Sequence, residues 1–288
     1  MIAYFGPAGN DNGFTAFGGK SALDVPRYVK AMGLNAFEYQ CGRGVNIGKE
    51  KAEELGKLAA QEGVRLSLHA PYYISMSGVE EEKRLHSIDY IVSSAEAVDR
   101  MGGDRIVVHT GSCGKISREE ALALALDTMK KALTALDDRG LGHVHICPET
   151  MGKINQLGTL EEVIALCESD ERLIPCIDFG HLNARTMGQL AADPNGYREI
   201  LDAIRNRLGE ERGRNFHAHF SKIEYTAGGE KCHLTFADTV FGPEYEPLME
   251  LLAARGCTPT VICESAGTQA ADAAAMRRCY ERFAESGK

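Results

Sequence analysis

Short apolar runs recur along the chain at broadly even intervals, and between them lie longer stretches whose apolar positions return with helical period. The runs are "IAYF" (2–5), "NAFEY" (35–39), "RLSLH" (65–69), "RIVVH" (105–109), "HVHICPE" (143–149), "LIPCID" (173–178), "FHAHF" (216–220) and "TVICE" (260–264). Runs of this length read as buried strands. The intervening segments 21–33, 49–63, 80–101, 117–138, 159–168, 195–208, 244–255 and 270–285 read as helices. Ser117 with Glu120 fits a capping box, and several of these segments end in Gly, as helices often do. Eight strands alternating with eight helices predict an α/β chain folded as a (β/α)8 TIM barrel, a single domain over 1–288. A doubly wound open sheet would call for a GxGxxG phosphate loop after the first strand, and none is present. The segment 221–242 is the longest break, and long loops in barrels tend to be functional.

Composition narrows this little. The chain has 288 residues, 44% of them hydrophobic and 25% charged, which suits one globular barrel. "MIAYFGPAGN" has neither a basic leader nor a long apolar stretch, so no signal peptide is expected, and no run reaches the ~18 residues of a membrane span. The nine cysteines lie scattered without a CxxC pair and read as reduced, buried thiols of a cytoplasmic protein. A net charge of −9 argues against a broad nucleic-acid surface, yet leaves room for a basic rim around an acidic, cation-filled pocket.

The candidate chemistry lies where the strands end. "IPCIDFGHLN" closes an apolar run on Asp178, with His181 three residues on. The same pattern repeats: His69, His109, Glu149, Asp178, His217 or His219, and Glu264 stand at the ends of six consecutive strands, and His181 and His233 follow in loops. Taken singly, a strand-end His is an ordinary hydrogen-bonded rim residue and a lone Asp a helix cap. Taken together they demand another account, because packing needs no such ring and crowded carboxylates repel unless cations neutralise them. Imidazole with carboxylate suits zinc, with manganese as the other candidate, and the ligands are too many for one four-coordinate ion. Two or three ions are therefore expected.

From strand three to strand eight, through "LHAPYYISMS", "VVHTGS", "CPETMGK", "CIDFGHLNA", "FHAHFSK" and "ICESAG", the chain resembles the endonuclease IV-like family, zinc-dependent AP endonucleases of the xylose isomerase-like TIM-barrel superfamily. The resemblance implies a barrel that hydrolyses the DNA backbone at abasic sites, a DNA-repair activity on damaged duplex. It implies one metal on His69 and His109, bridged by Glu149 to a second held also by Asp178, His217 and Glu264, and a third on His181 and His233. Glu149 then also serves catalysis by orienting the attacking water. Spacing to Ser221 and Lys222 favours His217 as ligand and leaves His219 as its neighbour. Where the family carries Asp-x-His this chain reads "GEKCH", with Lys231 two residues before His233. Lys231 then either weakens the third position, which is expected to empty first, or supplies positive charge to substrate itself; Glu230 substitutes if the loop shifts by one. Tyr72 stands where the family opens the damaged duplex, and Arg43 in "QCGRGVN" is the candidate DNA contact of the strand-two loop.

The rival reading is a metal-dependent sugar or sugar-phosphate isomerase or epimerase, for which Glu149, Asp178, His217 and Glu264 around one ion would suffice. It leaves His69, His109, His181 and His233 without a shared task. A barrel without catalysis, kept as a binding module, is the third. No membrane partner is expected, and oligomeric state is open.

Overall fold

The computed structural model describes residues 3–193 and 195–286. Eight parallel strands form the barrel: β1 (Tyr4–Pro7), β2 (Ala36–Gln40), β3 (Arg65–His69), β4 (Arg105–Val108), β5 (His145–Pro148), β6 (Cys176–Asp178), β7 (His217–Phe220) and, after the hairpin β8 (Lys222–Thr226) and β9 (Gly229–Leu234), β10 (Thr260–Cys263). The helices are α1 (Asn12–Ala16), α2 (Val25–Ala31), α3 (Lys49–Glu62), α4 (Glu81–Arg100), α5 (Arg118–Asp138), α6 (Leu160–Glu168), α7 (Phe179–Arg185), α8 (Gln189–Ala192), α9 (Gly196–Asn215), α10 (Glu246–Ala254) and α11 (Gln269–Ser286).

The strands make two four-stranded sheets, β1-β10-β7-β6 and β2-β3-β4-β5. They close on each other through isolated parallel bridges, Ala8 to Glu38 on one side and Glu149 to Cys176 and Ile146 to Leu173 on the other. The first strand lies later than the expected 2–5, and Ile2 falls outside the described residues. Gly6 explains part of the shift: a Cβ there would meet the Ala36 carbonyl oxygen at 1.8 Å, so only glycine lets β1 close on β2.

Alternation along each strand sorts the side chains. Leu66, Leu68, Ile106, Val108, Ile146, Ile177, Ala218, Phe220, Val261 and Cys263 join the main hydrophobic cluster between strands and helices. Their neighbours of opposite parity line the barrel axis, and that lining is largely polar. Glu38, Ser67, His69, Glu149, Asp178, His217 and His219 are all buried.

Local signals place the helices. Ser117 Oγ accepts from Glu120 N at 3.1 Å and Glu120 Oε2 accepts from Ser117 N at 3.0 Å, the expected capping box on α5. Thr159 and Glu162 build a second on α6. The helix expected over 195–208 does break there, because Gly209 leaves helical geometry (φ 86°), but a further turn carries α9 to Asn215. The 221–242 segment contains β8 and β9, an element the periodicity did not suggest, since both strands are short and mostly polar.

All nine cysteines are free, and only Cys232 is exposed. Among the described residues no helix is long and apolar enough to cross a membrane.

Candidate metal centre

The barrel's inward-facing polar residues converge at the C-terminal ends of the strands, where barrel enzymes keep their chemistry. A cleft of about 370 Å³ opens there, lined by His69, His109, Glu149, His181, Glu230, His233 and Glu264 among others. A larger cavity of about 450 Å³ lies at the opposite end, but its arginines are engaged: Arg65 and Arg105 pair with Asp104 at 2.6 and 2.9 Å, and Arg212 donates to backbone carbonyls.

Three sets of ligand-type atoms meet at the cleft: His69, His109 and Glu149; Glu149, Asp178, His219 and Glu264; and His181, Glu230 and His233. Glu149 belongs to two of them. Its Oε2 lies 3.4 Å from His69 Nε2 and 3.1 Å from His109 Nε2, while its Oε1 lies 2.9 Å from His219 Nδ1. His219 Nδ1 is also 3.6 Å from Glu264 Oε2.

The imidazoles are oriented from behind, as ligating histidines are. His69 Nδ1 bonds the Ala70 carbonyl at 2.9 Å, His181 Nδ1 the Thr150 carbonyl at 3.0 Å, and His233 Nδ1 meets Ser221 Oγ at 2.8 Å. The Nε2 of His69 thus faces Glu149 and that of His181 faces Glu230, each at 3.4 Å. Asp178 caps α7, its Oδ1 accepting from His181 N at 2.7 Å. Its Oδ2 is buried with no hydrogen-bond donor, 3.1 Å from the His181 ring. That orphaned oxygen, among imidazoles and carboxylates with no cysteine among the described residues lining the cleft, fits divalent first-row cations.

Two expectations change. On β7 the residue that joins the centre is His219, not His217. Both point inward, but His219 lies level with Asp178, whereas His217 lies level with Cys176, one layer deeper. His217 Nε2 instead sits 3.0 Å from Glu38 Oε2, and burial pushes its pKa down to about 4, so it is a neutral interior group. Lys231 is the second. A bulge interrupts the hairpin between Glu224 and Tyr225, so that Tyr225 faces Glu230 while Glu224 faces Cys232. Lys231 is the extra residue; its Nζ pairs with Glu224 at 2.6 Å and does not line the cleft. Glu230 and His233 therefore share a face, and Glu230 Oε2 lies 3.4 Å from His181 Nε2. The third set carries a carboxylate after all.

The hairpin is held in place by the loop after β5. Glu230 N donates to the Gly152 carbonyl at 3.2 Å, and Ile154 N to the Gly228 carbonyl at 3.1 Å. Gly229 (φ 89°) and Gly152 allow the approach, since a Cβ on Gly229 would lie 2.2 Å from the Gly152 oxygen. Arg185 in turn fixes that loop through the carbonyls of Met151, Lys153, Ile154 and Gln156.

At the rim Tyr72 is 57% exposed, so its ring is free to contact a substrate, and it lies nearly parallel to His109 with centroids 5.7 Å apart. Tyr72 N bonds the Gly42 carbonyl at 3.0 Å, which ties it to the turn carrying Arg43. Arg43 itself is exposed and does not line the cleft. The inward-parity residues His143 and His145 lie at the other end: His143 is half exposed and bonds Asp99, and His145 bonds the Arg172 carbonyl.

Electrostatics follow from burial and crowding. Burial, with Glu264 and Glu149 close by, pushes the Asp178 carboxyl up to about 6. Burial would raise Glu149 too, but His219, His109 and His181 hold it well below the usual range. His181, despite burial, is held well above ordinary imidazole by Asp178, Glu149 and Glu230, and His219 is raised likewise. Cations bind neutral rings, so rings that hold protons tightly must release them on uptake. Divalent cation affinity should therefore fall as pH drops from 8 to 6, with proton release on binding. Calorimetry in buffers of different ionisation enthalpy checks this; pH-independent uptake without proton release would contradict it.

Residues 26–282 match the family described as xylose isomerase-like TIM barrel. An uncharacterized protein of Methanocaldococcus jannaschii is 34% identical over 262 residues, 91% of this chain and 92% of that protein. A probable endonuclease 4 of Streptomyces coelicolor is 27% identical over 267 residues, 89% of each chain. Among solved structures, endonuclease IV of Thermus thermophilus has a TM-score of 0.68 at 20% identity, covering 98% of this chain and 99% of its own. A D-tagatose 3-epimerase-like protein has a TM-score of 0.71 at 19% identity, covering 99% and 98%. With the polar ring at the strand ends and the match over nearly its whole length, this chain belongs to the xylose isomerase-like TIM barrel family.

Proposed function

We propose that this chain is a metal-dependent phosphodiesterase, a zinc hydrolase that cuts the DNA backbone at abasic sites. The observation that carries the reading is the three adjoining ligand sets with Glu149 shared between two of them. A sugar epimerase needs only the Glu149, Asp178, His219 and Glu264 set, and the likeness to a D-tagatose 3-epimerase-like protein favours that second reading. It leaves His69, His109, His181, Glu230 and His233 without work. The relatives called probable endonuclease 4 favour the first.

When bound, divalent cations would make a water nucleophilic near neutral pH and offset the charge of a phosphodiester. The chain's own residues do the rest. Glu149, central and buried, holds the two adjoining ligand sets in fixed relation and accepts a hydrogen bond from an attacking water. His181, Glu230 and His233 form the third set beside it and would hold a cation that offsets charge developing on a leaving oxygen. Lys153, at the cleft, supplies positive charge toward a phosphate. Elemental analysis combined with a nicking assay on abasic duplex tests the reading. Two or three zinc or manganese ions per chain with incision support it; one ion without incision turns the assignment to the sugar reading.

Tyr72 and the Arg43 turn are the contacts we assign to DNA. Stacking of an aromatic on a base contributes about 1–3 kcal/mol, so Tyr72→Ala should lower affinity for abasic duplex by roughly tenfold. With a chain this acidic, few phosphates are neutralised, and the salt dependence should be shallow at about −0.9 per phosphate contacted. Binding titrations on abasic and intact duplexes measure both. A parent that does not distinguish the two duplexes rejects DNA repair.

A further inference from the structure

Glu38 is wholly buried on β2, and among the described residues no lysine or arginine pairs with it. An isolated carboxylate is costly to bury, so its partners must account for its place in the barrel axis. Ser67 Oγ donates to its Oε2 at 2.9 Å and Gln40 Nε2 to its Oε1 at 3.2 Å. Two imidazoles complete the shell: His219 Nε2 lies 2.9 Å from Oε1 and His217 Nε2 3.0 Å from Oε2. These two contacts are short but not squarely aligned as hydrogen bonds.

His219 is thus gripped from both sides. Glu38 faces its Nε2, and Glu149 and Glu264 face its Nδ1. This reverses the arrangement at His69 and His181, where Nδ1 meets a backbone carbonyl and Nε2 faces a carboxylate of the ligand sets. It also places a carboxylate behind the ring, where His69 and His233 have a carbonyl and a hydroxyl. A carboxylate behind an imidazole fixes the tautomer and makes the ligating nitrogen more basic.

We infer that Glu38 is a positioning residue for the metal centre: it keeps the His219 proton on Nε2, so that Nδ1 is the atom presented to a cation held with Glu149, Asp178 and Glu264. His217 is the second imidazole on the same carboxylate, and it restrains the carboxylate from below. The inference rests on the metal reading above and names a residue that the strand-end pattern does not contain.

The test is Glu38→Gln, which keeps the shape of the side chain and removes its charge. Zinc is titrated against a competing chelator, with melting temperature recorded on the same samples. One ion per chain should bind about ten- to a hundredfold more weakly, the range for an altered outer partner of a ligand, while the remaining ions bind as in the parent. A purely structural role would lower the melting temperature without singling out one ion. Nitrogen-15 shifts of the His219 ring in the zinc-loaded parent give a second readout, independent of whether the variant folds. A protonated Nε2 and a metal-shifted Nδ1 support the inference; the opposite tautomer overturns it. Unchanged zinc binding in Glu38→Gln overturns it alone, whereas a parent that takes up no ion overturns the metal reading and this inference with it.

Discussion

Glu149→Gln is expected to lower phosphodiester hydrolysis by about a hundred- to a thousandfold, the scale of removing one fixed electrostatic contact in a buried site. Glu149 is 1% exposed and lies within 3.5 Å of nitrogens on His69, His109, His181 and His219. Among the described residues no other touches so many members of the cleft. The amide occupies nearly the same volume, so the fold should survive. What changes is that one of two anionic oxygens becomes an NH₂ group, which cannot ligate and which repels a cation beside it. Two adjoining ligand sets lose their common member at once, and metal content should fall with turnover. Turnover, metal content and melting temperature measured together separate the effects. Parent-like turnover with full metal content would remove Glu149 from the bridging role.

Glu230→Ala should cost the chain one ion, whereas Lys231→Asp should leave metal content unchanged. Alternation alone would put residues 231 and 233 on one face of β9, which makes Lys231 the partner of His233. The bulge moves Glu230 into that place and sends Lys231 to Glu224. A carboxylate near the surface attracts even a unit positive charge about 4 Å away by roughly 4 kcal/mol at an effective dielectric of 20. Losing it should therefore weaken the third ion by about a hundredfold or more. Chelator-resistant metal in each variant decides the matter. A gain of metal in Lys231→Asp, with no loss in Glu230→Ala, would restore Lys231 to the position that alternation gives it.

How far each residue could be read from the chain depends on what sets its position. His69, His109, Glu149, Asp178 and Glu264 were legible because each continues the inward parity of its strand at the strand's last turn. His217 and His219 share that parity, so a single strand cannot rank them. Their heights depend on the stagger between β6, β7 and β10, which pairs His219 with Asp178 and with Ile262. Glu230 was hidden by the bulge, a departure from period two that has no local composition signal. Glu38 did leave a trace, a lone acid inside "NAFEY" with inward parity, but it lies below the strand end, where the search for ligands stops. The short strand β9 shows no apolar alternation, because its cleft side carries Glu230 and His233 and its outer side is polar as well.

The two sheets meet along seams that are thin in main-chain bonding. On one seam the Ala8–Glu38 bridge carries the junction, and on the other Ile146 bridges to Leu173 and Glu149 itself to Cys176. One ligand set straddles the second seam: Glu149 stands at the join, Asp178, His219 and Glu264 extend from the far half-barrel, and His69 and His109 meet the same Glu149 from its own half. Ions held between them would act as rivets, tying two half-cylinders whose backbones are only sparsely stitched. Closure of the cylinder would then be coupled to ligand occupancy by mass action, so that the chemistry of the cleft and the mechanical integrity of the scaffold draw on the same side chains.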